Sequence, residues 1–150
     1  MPKIRRVGHL VLNVLDMDKS VDFYTDVLGF EIAVRREDGS GTFFTCGKNH
    51  HDLALFLAPP NAPDVTEGGL GLNHMAFQVE DYDTLSEYHH KLDGLGMEMR
   101  LVDHNMTKSI YIKDPDGNRI ELFCNTFDNA VDGLAEMRRP GRKNKELIFS

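Results

Sequence analysis

The sequence lacks long hydrophobic runs, cysteine pairs and any basic stretch suited to nucleic acid. No apolar run approaches the roughly 20 residues that a transmembrane helix needs, so we expect no insertion into a membrane. Cys46 and Cys124 are far apart and show no CxxC spacing, and we expect both to be ordinary buried thiols. The basic cluster at 138–145 contains no aromatic residue, and the net charge of -7 disfavours binding to phosphate backbones. We therefore expect no nucleic acid partner.

The first twelve residues also lack the pattern of a secretory signal. Basic residues are followed by only a short apolar stretch, which includes His9 and no small-residue cleavage site. We expect the protein to stay in the cytoplasm. With 150 residues, of which 41% are hydrophobic and 27% are charged, the chain has the length and composition of one soluble domain, 1–150.

Strand and helix signals occur twice in the same order. The first half predicts a strand, a helix and three strands, over residues 6–13, 17–28, 31–36, 41–46 and 52–57. The second half predicts the same series, over residues 72–79, 82–95, 97–102, 109–113 and 119–124. A proline-rich linker, 58–71, separates the halves, and a tail follows at 125–150 with a helix-compatible segment at 129–138. We predict an α+β fold of two βαβββ modules, which form a cupped, partly open barrel-like sheet.

Aligning the two halves places histidine on histidine. Residues 7–13 fall on residues 72–78, which puts His9 on His74. Residues 53–56 then fall on 120–123, which puts Ala54 on Glu121. Because side chains alternate between the faces of a strand, the two histidines and Glu121 can all point to one concave surface.

His9, His74 and Glu121 together predict a metal site. A lone histidine in a strand is usually a hydrogen-bonded core residue, but two at matching positions with an acid form a constellation. Glu121 lies between Ile120 and Leu122, where a carboxylate is costly to bury unless a positive charge meets it. Two imidazoles and one carboxylate are typical of non-haem Fe(II) sites with open coordination positions, and Mn(II) accepts the same ligands.

Residues 102–121 resemble the signature of the extradiol ring-cleavage dioxygenases, in the vicinal oxygen chelate superfamily. The match consists of His104, Tyr111, the turn Asp-Pro-Asp-Gly at 114–117, and Glu121. The turn is common to the whole superfamily, which includes glyoxalase I, fosfomycin-resistance and bleomycin-binding proteins, so His104 and Tyr111 are the specific part. The resemblance covers roughly residues 6 to 124.

This resemblance implies an enzyme that inserts dioxygen into a catechol-type aromatic and cleaves the ring beside the diol. Fe(II), or Mn(II), would be held by His9, His74 and Glu121. His104 and Tyr111 would orient the diol oxygens by hydrogen bonding. The resemblance also implies that the protein forms a homo-oligomer, either a dimer or a larger assembly.

His51 is similar in position to an active-site histidine of the same enzymes, just before the fourth strand. It would take a proton from the substrate and return it during ring cleavage. Strand alternation places His51 on the face opposite to Ala54, so it must act from the entrance of the strand or across a bulge.

Three other functions stay open at this point. A glyoxalase-type lyase or isomerase needs a metal ligand at the position of Ala54. A fosfomycin-type thiol transferase also uses two histidines and a glutamate, but we expect no cationic set for a phosphonate beside the predicted ligands. A non-enzymatic protein that sequesters small molecules would not need Glu121, His104 and Tyr111 together.

Overall fold

The computed structural model describes residues 1–149. The chain divides into two compact units, one formed by Met1–Val65 and the other by the chain from Thr66 onward. Each unit contains one mixed sheet and its crossover helix, which confirms the predicted α+β class and the two βαβββ modules. Among the described residues, no helix has the length and hydrophobicity to cross a bilayer.

The first unit is a four-stranded sheet with a helix between its first two strands. Its elements are β1 (Leu10–Val14), α1 (Met17–Asp22), a π-helical turn (Phe23–Val27), β2 (Glu31–Arg35), β3 (Gly41–Thr45) and β4 (Leu53–Leu57). The strand order is β1-β4-β3-β2, with β1 and β4 parallel and the other neighbours antiparallel. The side chain of Asp16 caps α1 by accepting a 3.0 Å hydrogen bond from the backbone N–H of Lys19.

The predicted helix at 17–28 is α-helical only in its first half. The N–H of Leu28 donates to the carbonyl of Phe23 at 3.2 Å, five residues earlier, so Phe23–Val27 is a π-helical turn. Both Phe23 and its neighbour Tyr24 are buried, at 8% and 0% exposure. The structure is helical over almost the whole predicted range, but the apolar pattern of the sequence does not distinguish a π turn from an α turn.

The second unit is a five-stranded sheet with two helices. Its elements are β5 (Met75–Gln78), α2 (Tyr82–Gly94), β6 (Arg100–Asp103), β7 (Thr107–Lys113), β8 (Arg119–Asn125), α3 (Ala130–Arg138) and β9 (Lys145–Glu146). The strand order is β5-β8-β7-β6-β9, with β5 and β8 parallel and the other neighbours antiparallel. The tail therefore adds a helix and a strand to this unit, and the strand pairs with β6.

One face of the second sheet is apolar and forms the core of its unit. Asp81 caps α2 by accepting a 2.8 Å hydrogen bond from the N–H of Thr84. Leu85 and Leu92 of the helix are fully buried, as are Ile110 in β7 and Ile120 in β8. The other face of β7 and β8 carries the polar residues that alternate with these, and the candidate site lies there.

The register of the two parallel strand pairs supports the alignment of the halves. Val11 lies opposite Ala54 in β1 and β4, and Ala76 lies opposite Glu121 in β5 and β8. Val11 and Ala76 each follow an aligned histidine by two residues. Ala54 and Glu121 are therefore equivalent positions of the two modules, as the sequence alignment predicted.

The two cysteines differ in burial. Cys124 lies in β8 and is 1% exposed, as expected. Cys46 is exposed, so the expectation of a buried thiol was wrong for this residue. The reason is that β3 ends at Thr45, and Cys46 lies in the loop that follows.

Candidate metal and substrate site

His74 and Glu121 come together in the second unit. Nε2 of His74 lies 3.0 Å from Oε2 of Glu121. Two donor atoms about 2.1 Å from one ion, at right angles to each other, lie about 3.0 Å apart. The spacing of this imidazole and this carboxylate therefore fits two neighbouring ligands of one divalent metal ion.

Asn73 orients the imidazole of His74. Its Oδ1 lies 2.8 Å from Nδ1 of His74. When Nδ1 carries the ring hydrogen and donates it to the amide oxygen, Nε2 keeps its lone pair and faces Glu121. A hydrogen bond of this kind from the far ring nitrogen fixes the tautomer of metal-binding histidines.

Ser109 holds the other carboxylate oxygen of Glu121. Its hydroxyl donates a 2.6 Å hydrogen bond to Oε1. Ser109 is fully buried and Glu121 is 8% exposed, so the carboxylate depends on protein groups for its partners.

His104 and Tyr111 form a second polar pair beside Glu121. Nε2 of His104 lies 2.8 Å from the hydroxyl of Tyr111 and 3.9 Å from Oε1 of Glu121. Tyr111 in β7 lies directly opposite Glu121 in β8. His104 lies in the turn between β6 and β7, where Asn105 has a φ of 70° and Arg142 of the tail donates to the carbonyl of His104 at 2.8 Å.

Burial, followed by the charge of Glu121 and a hydrogen bond to it, raises the pKa of Tyr111 to about 12. The phenol therefore keeps its proton at neutral pH and can donate a hydrogen bond.

In the first unit, His9 and His51 come together. Their ring centroids are 4.4 Å apart. The edge of the His51 ring also meets Phe43, at 5.6 Å between centroids. Phe43 and Ala54 are directly opposite each other in β3 and β4, so His51 reaches the face of the sheet that carries Ala54 from the turn before β4. Of the two positions that the sequence left open, the entrance of the strand and a bulge, His51 lies at the entrance.

Burial, followed by the charges of His9 and His50, lowers the pKa of His51 below its ordinary value, against an opposing effect of Asp52. A lowered pKa leaves the imidazole neutral at pH 7 and able to accept a proton.

The predicted residues thus fall into two groups. His74, His104, Tyr111 and Glu121 lie together in the second unit, and His9 and His51 lie together in the first. His9 and His74 each lie one residue before their strand rather than inside it. Among residues 1–149, no group of three His, Cys, Asp or Glu side chains is arranged so that it could hold a metal ion. A complete site with His9 as the third ligand is part of the proposal below.

Two residues that hold the proposed ligands, Ser109 and Asn73, were not predicted from the sequence. The position of Ser109 could have been predicted, because it precedes Tyr111 by two residues and so shares its face of β7. The contact of Asn73 with His74 was harder to predict, because Asn73 lies outside any strand and strand alternation does not fix the direction of its side chain.

The expectation that no cationic set lies beside the ligands was wrong. Arg100 lies opposite Tyr111 in β6 and β7, and Lys113 lies opposite Arg119 in β7 and β8. These three basic residues and Tyr111 line one cavity of about 320 Å³ in the second unit. Lys113 and Arg119 flank the turn at 114–118, and the pairing of β6 with β7 brings Arg100 to the same cavity.

Comparison with known proteins shows the family of this chain. The model of the glyoxalase/bleomycin resistance protein/dioxygenase superfamily matches residues 6–122. The chain belongs to this superfamily, which confirms the resemblance found in the sequence.

The relatives of this chain catalyse different reactions. The chain is 35% identical over 124 residues to biphenyl-2,3-diol 1,2-dioxygenase 3 of Rhodococcus globerulus, a match that covers 81% of this chain and 64% of that protein. It is 32% identical over 130 residues to glutathione transferase FosA of Serratia marcescens, with 83% and 84% covered. Among solved structures, lactoylglutathione lyase from Agrobacterium tumefaciens is similar, with a TM-score of 0.62, 28% identity, and 82% and 96% covered.

The chain spans less than two thirds of the length of that dioxygenase relative. The relatives are named as a dioxygenase, a transferase and a lyase, so family membership indicates an enzyme without selecting one reaction.

Proposed function

We propose that the protein is an extradiol-type dioxygenase that opens a catechol-type ring at one Fe(II), or Mn(II), held by His9, His74 and Glu121. The observation that carries the proposal is the hydrogen-bonded pair of His104 and Tyr111 beside Glu121. This pair provides a proton donor and a proton acceptor next to the proposed ligands, and both hydroxyls of a catechol need such partners. A cytoplasmic location and a homo-oligomeric state belong to the same proposal.

When bound, the metal ion would supply Lewis acidity and a common binding point for the two reactants. The protein's part is to hold the ligands in place. Asn73 fixes the ring of His74, and Ser109 occupies one oxygen of Glu121 so that the other faces His74.

His51, His104 and Tyr111 would handle protons and hydrogen bonds. His51, neutral at pH 7, would accept the proton of one catechol hydroxyl and return it to the product. Tyr111, protonated at the same pH, would donate a hydrogen bond to a substrate oxygen, with His104 at its hydroxyl. The reaction balances without a further reductant, because the ring carbons are oxidised, dioxygen is reduced, and both of its atoms enter the product.

The site supports the three alternative functions to different degrees. A lyase of the glyoxalase type needs a ligand at Ala54, which is equivalent to Glu121 but is an alanine. Thiol transfer to a phosphonate is the second candidate function, because Arg100, Lys113 and Arg119 line a cavity that an anion can enter. A sequestering protein would retain its small molecule after the metal is removed.

The test is to load the protein anaerobically with Fe(II) or Mn(II), measure metal content, add catechol and then admit oxygen. We expect about one metal per chain, a chelate absorption before oxygen is admitted, and a yellow ring-opened product with one dioxygen consumed per catechol. Glu121→Ala and His74→Ala should lose both metal and activity.

His90→Ala is the matched control for the histidine variant, because His90 is exposed on α2 outside the site. Full metal content and activity in Glu121→Ala would overturn the proposal. Glutathione addition to a phosphonate epoxide, in the absence of ring cleavage, would favour the transferase. Isomerisation of a glutathione hemithioacetal would favour the lyase.

A further inference from the structure

We infer that the cavity beside Tyr111 binds a carboxylate carried by the substrate, so that the natural substrate is an anionic catechol, with its acid group on the ring or on a short side chain. This inference rests on the proposed function for the catechol part of the molecule. The anion site itself depends only on the side chains of the second unit.

The cavity adjoins the proposed metal ligand through one row of side chains. Arg100 in β6, Tyr111 in β7 and Glu121 in β8 are successive partners across three strands, and opposite residues share a face of the sheet. Arg119 precedes Glu121 by two residues and so lies on the same face. A ring bound at Glu121 therefore has Arg119 two residues away along β8 and Arg100 two strands away, beyond Tyr111.

Two of the basic groups in the cavity are available to a ligand. Lys113 is engaged, because its Nζ lies 3.0 Å from Oε2 of Glu67. Arg100 and Arg119 form no salt bridge with any residue from 1 to 149. Glu98 also lines the cavity, so its three basic and two acidic residues leave a net charge of +1 in a chain of net charge -7.

Tyr111 holds Arg100 in a defined place. The guanidinium carbon of Arg100 lies 5.6 Å from the centroid of the Tyr111 ring. Such a stacked guanidinium keeps its N–H groups free at the edge, in a planar fork that matches the two oxygens of a carboxylate. Tyr111 therefore has two contacts: its hydroxyl hydrogen-bonds to His104, and its ring positions the guanidinium of Arg100.

The rest of the cavity suits the carbon part of a small acid. Met97, Met99 and Ile112 supply apolar side chains on its lining. A volume of about 320 Å³ is at the lower end of the range of about 300–1,000 Å³ for ligand pockets, which fits a short acidic substituent or one ring.

The experiment compares 3,4-dihydroxyphenylacetate with its uncharged primary amide on the Fe(II)-loaded protein. Because hydrogen bonds between arginine and a carboxylate are charge-assisted, but Arg100 is exposed and Arg119 half-buried, we expect KM to be about 3–10-fold lower for the acid. In Arg100→Gln and Arg119→Gln, KM for the acid should rise, so that the ratio of KM for the amide to KM for the acid falls towards one. Arg138→Gln on the exposed face of α3 is the matched control and should keep the preference for the acid.

Binding of the same two compounds to metal-free protein is measured by calorimetry, which separates this inference from the proposed function. Cleavage of both compounds with equal KM would overturn the anion site and leave the dioxygenase proposal standing. Absence of cleavage, with Arg119-dependent binding of the acid alone, would overturn the dioxygenase and support the anion site. Tighter binding of phenylphosphonate than of the carboxylate would overturn the carboxylate assignment in favour of a phosphonate substrate.

Discussion

Ser109 and Glu121 share a 2.6 Å hydrogen bond on the polar face of the second sheet. The bond occupies Oε1 of the carboxylate, while Oε2 faces Nε2 of His74. A buried hydroxyl on β7 thereby determines which oxygen of Glu121 is presented to the proposed metal.

Ser109→Ala should weaken metal binding without abolishing it. Removing a group that orients a ligand typically costs about 10–100-fold in metal affinity. Calorimetric titration with Mn(II), which is stable in air, measures the Kd. Ser86→Ala on α2 is the control and should bind as the unmodified protein does. An unchanged Kd in Ser109→Ala would show that Glu121 needs no such support.

Asn73→Leu should also weaken metal binding, by at least about tenfold, because Nδ1 of His74 loses its acceptor. Asn73→Asp keeps an acceptor of nearly the same shape and should bind at least as tightly as the unmodified protein. The same Mn(II) titration compares the two variants. Equal affinities for Asn73→Leu and Asn73→Asp would contradict the orienting role.

The hydroxyl of Tyr111 should ionise only at high pH. Its pKa is raised to about 12 by burial and then by Glu121, so the absorbance difference at 295 nm between the metal-free protein and Tyr111→Phe should have a midpoint near pH 12. After unfolding in urea, the same difference should have its midpoint near the ordinary value of about 10. Because the folded pKa is the higher one, this group's contribution to stability is complete below about pH 10 and is lost as the pH rises towards 12. A folded midpoint near 10 would contradict the burial of this hydroxyl beside Glu121.

Asp81 should stabilise α2 in a pH-dependent way. The backbone N–H of Thr84, and then its hydroxyl, lower the pKa of Asp81. A lowered pKa means that the stabilisation is present above the unfolded value of about 3.9 and is lost as the pH falls through the folded value. Asp81→Ala should lower the Tm at pH 7 by about 2–4 °C.

The calorimetric Tm of Asp81→Ala and of the unmodified protein should converge as the pH falls below about 4. Asp81→Asn keeps the capping oxygen without the charge. At pH 7 it should therefore lower the Tm by less than Asp81→Ala does. A Tm difference that stays constant from pH 7 to pH 3 would contradict the role of the carboxylate.

The order of elements and most proposed site residues could be predicted from the sequence because they depend on local patterns. Alternating apolar residues place Glu121 opposite to the core face of β8, and the repeat of the pattern relates it to Ala54. Gly29, with a φ of 78°, ends the first helical segment where the sequence placed its end.

The contacts between strands could not be predicted, because they depend on register. Arg100 meets Tyr111 only through the pairing of β6 with β7, and the turn between them is set by Asn105, whose N–H donates to Asp103 at 2.7 Å. A slip of one residue in this hairpin would turn Arg100 to the other face. The sequence contains no local signal for that register, so the cationic cavity was missed.

The pairing of β9 with β6 gives the tail a protective role. Without Lys145–Glu146, the outer backbone groups of β6 would form an open edge, which other chains can extend by strand addition. A protein shortened to end at Asn125 would therefore aggregate more readily, and the turn that carries His104 would lose the clamp supplied by Arg142.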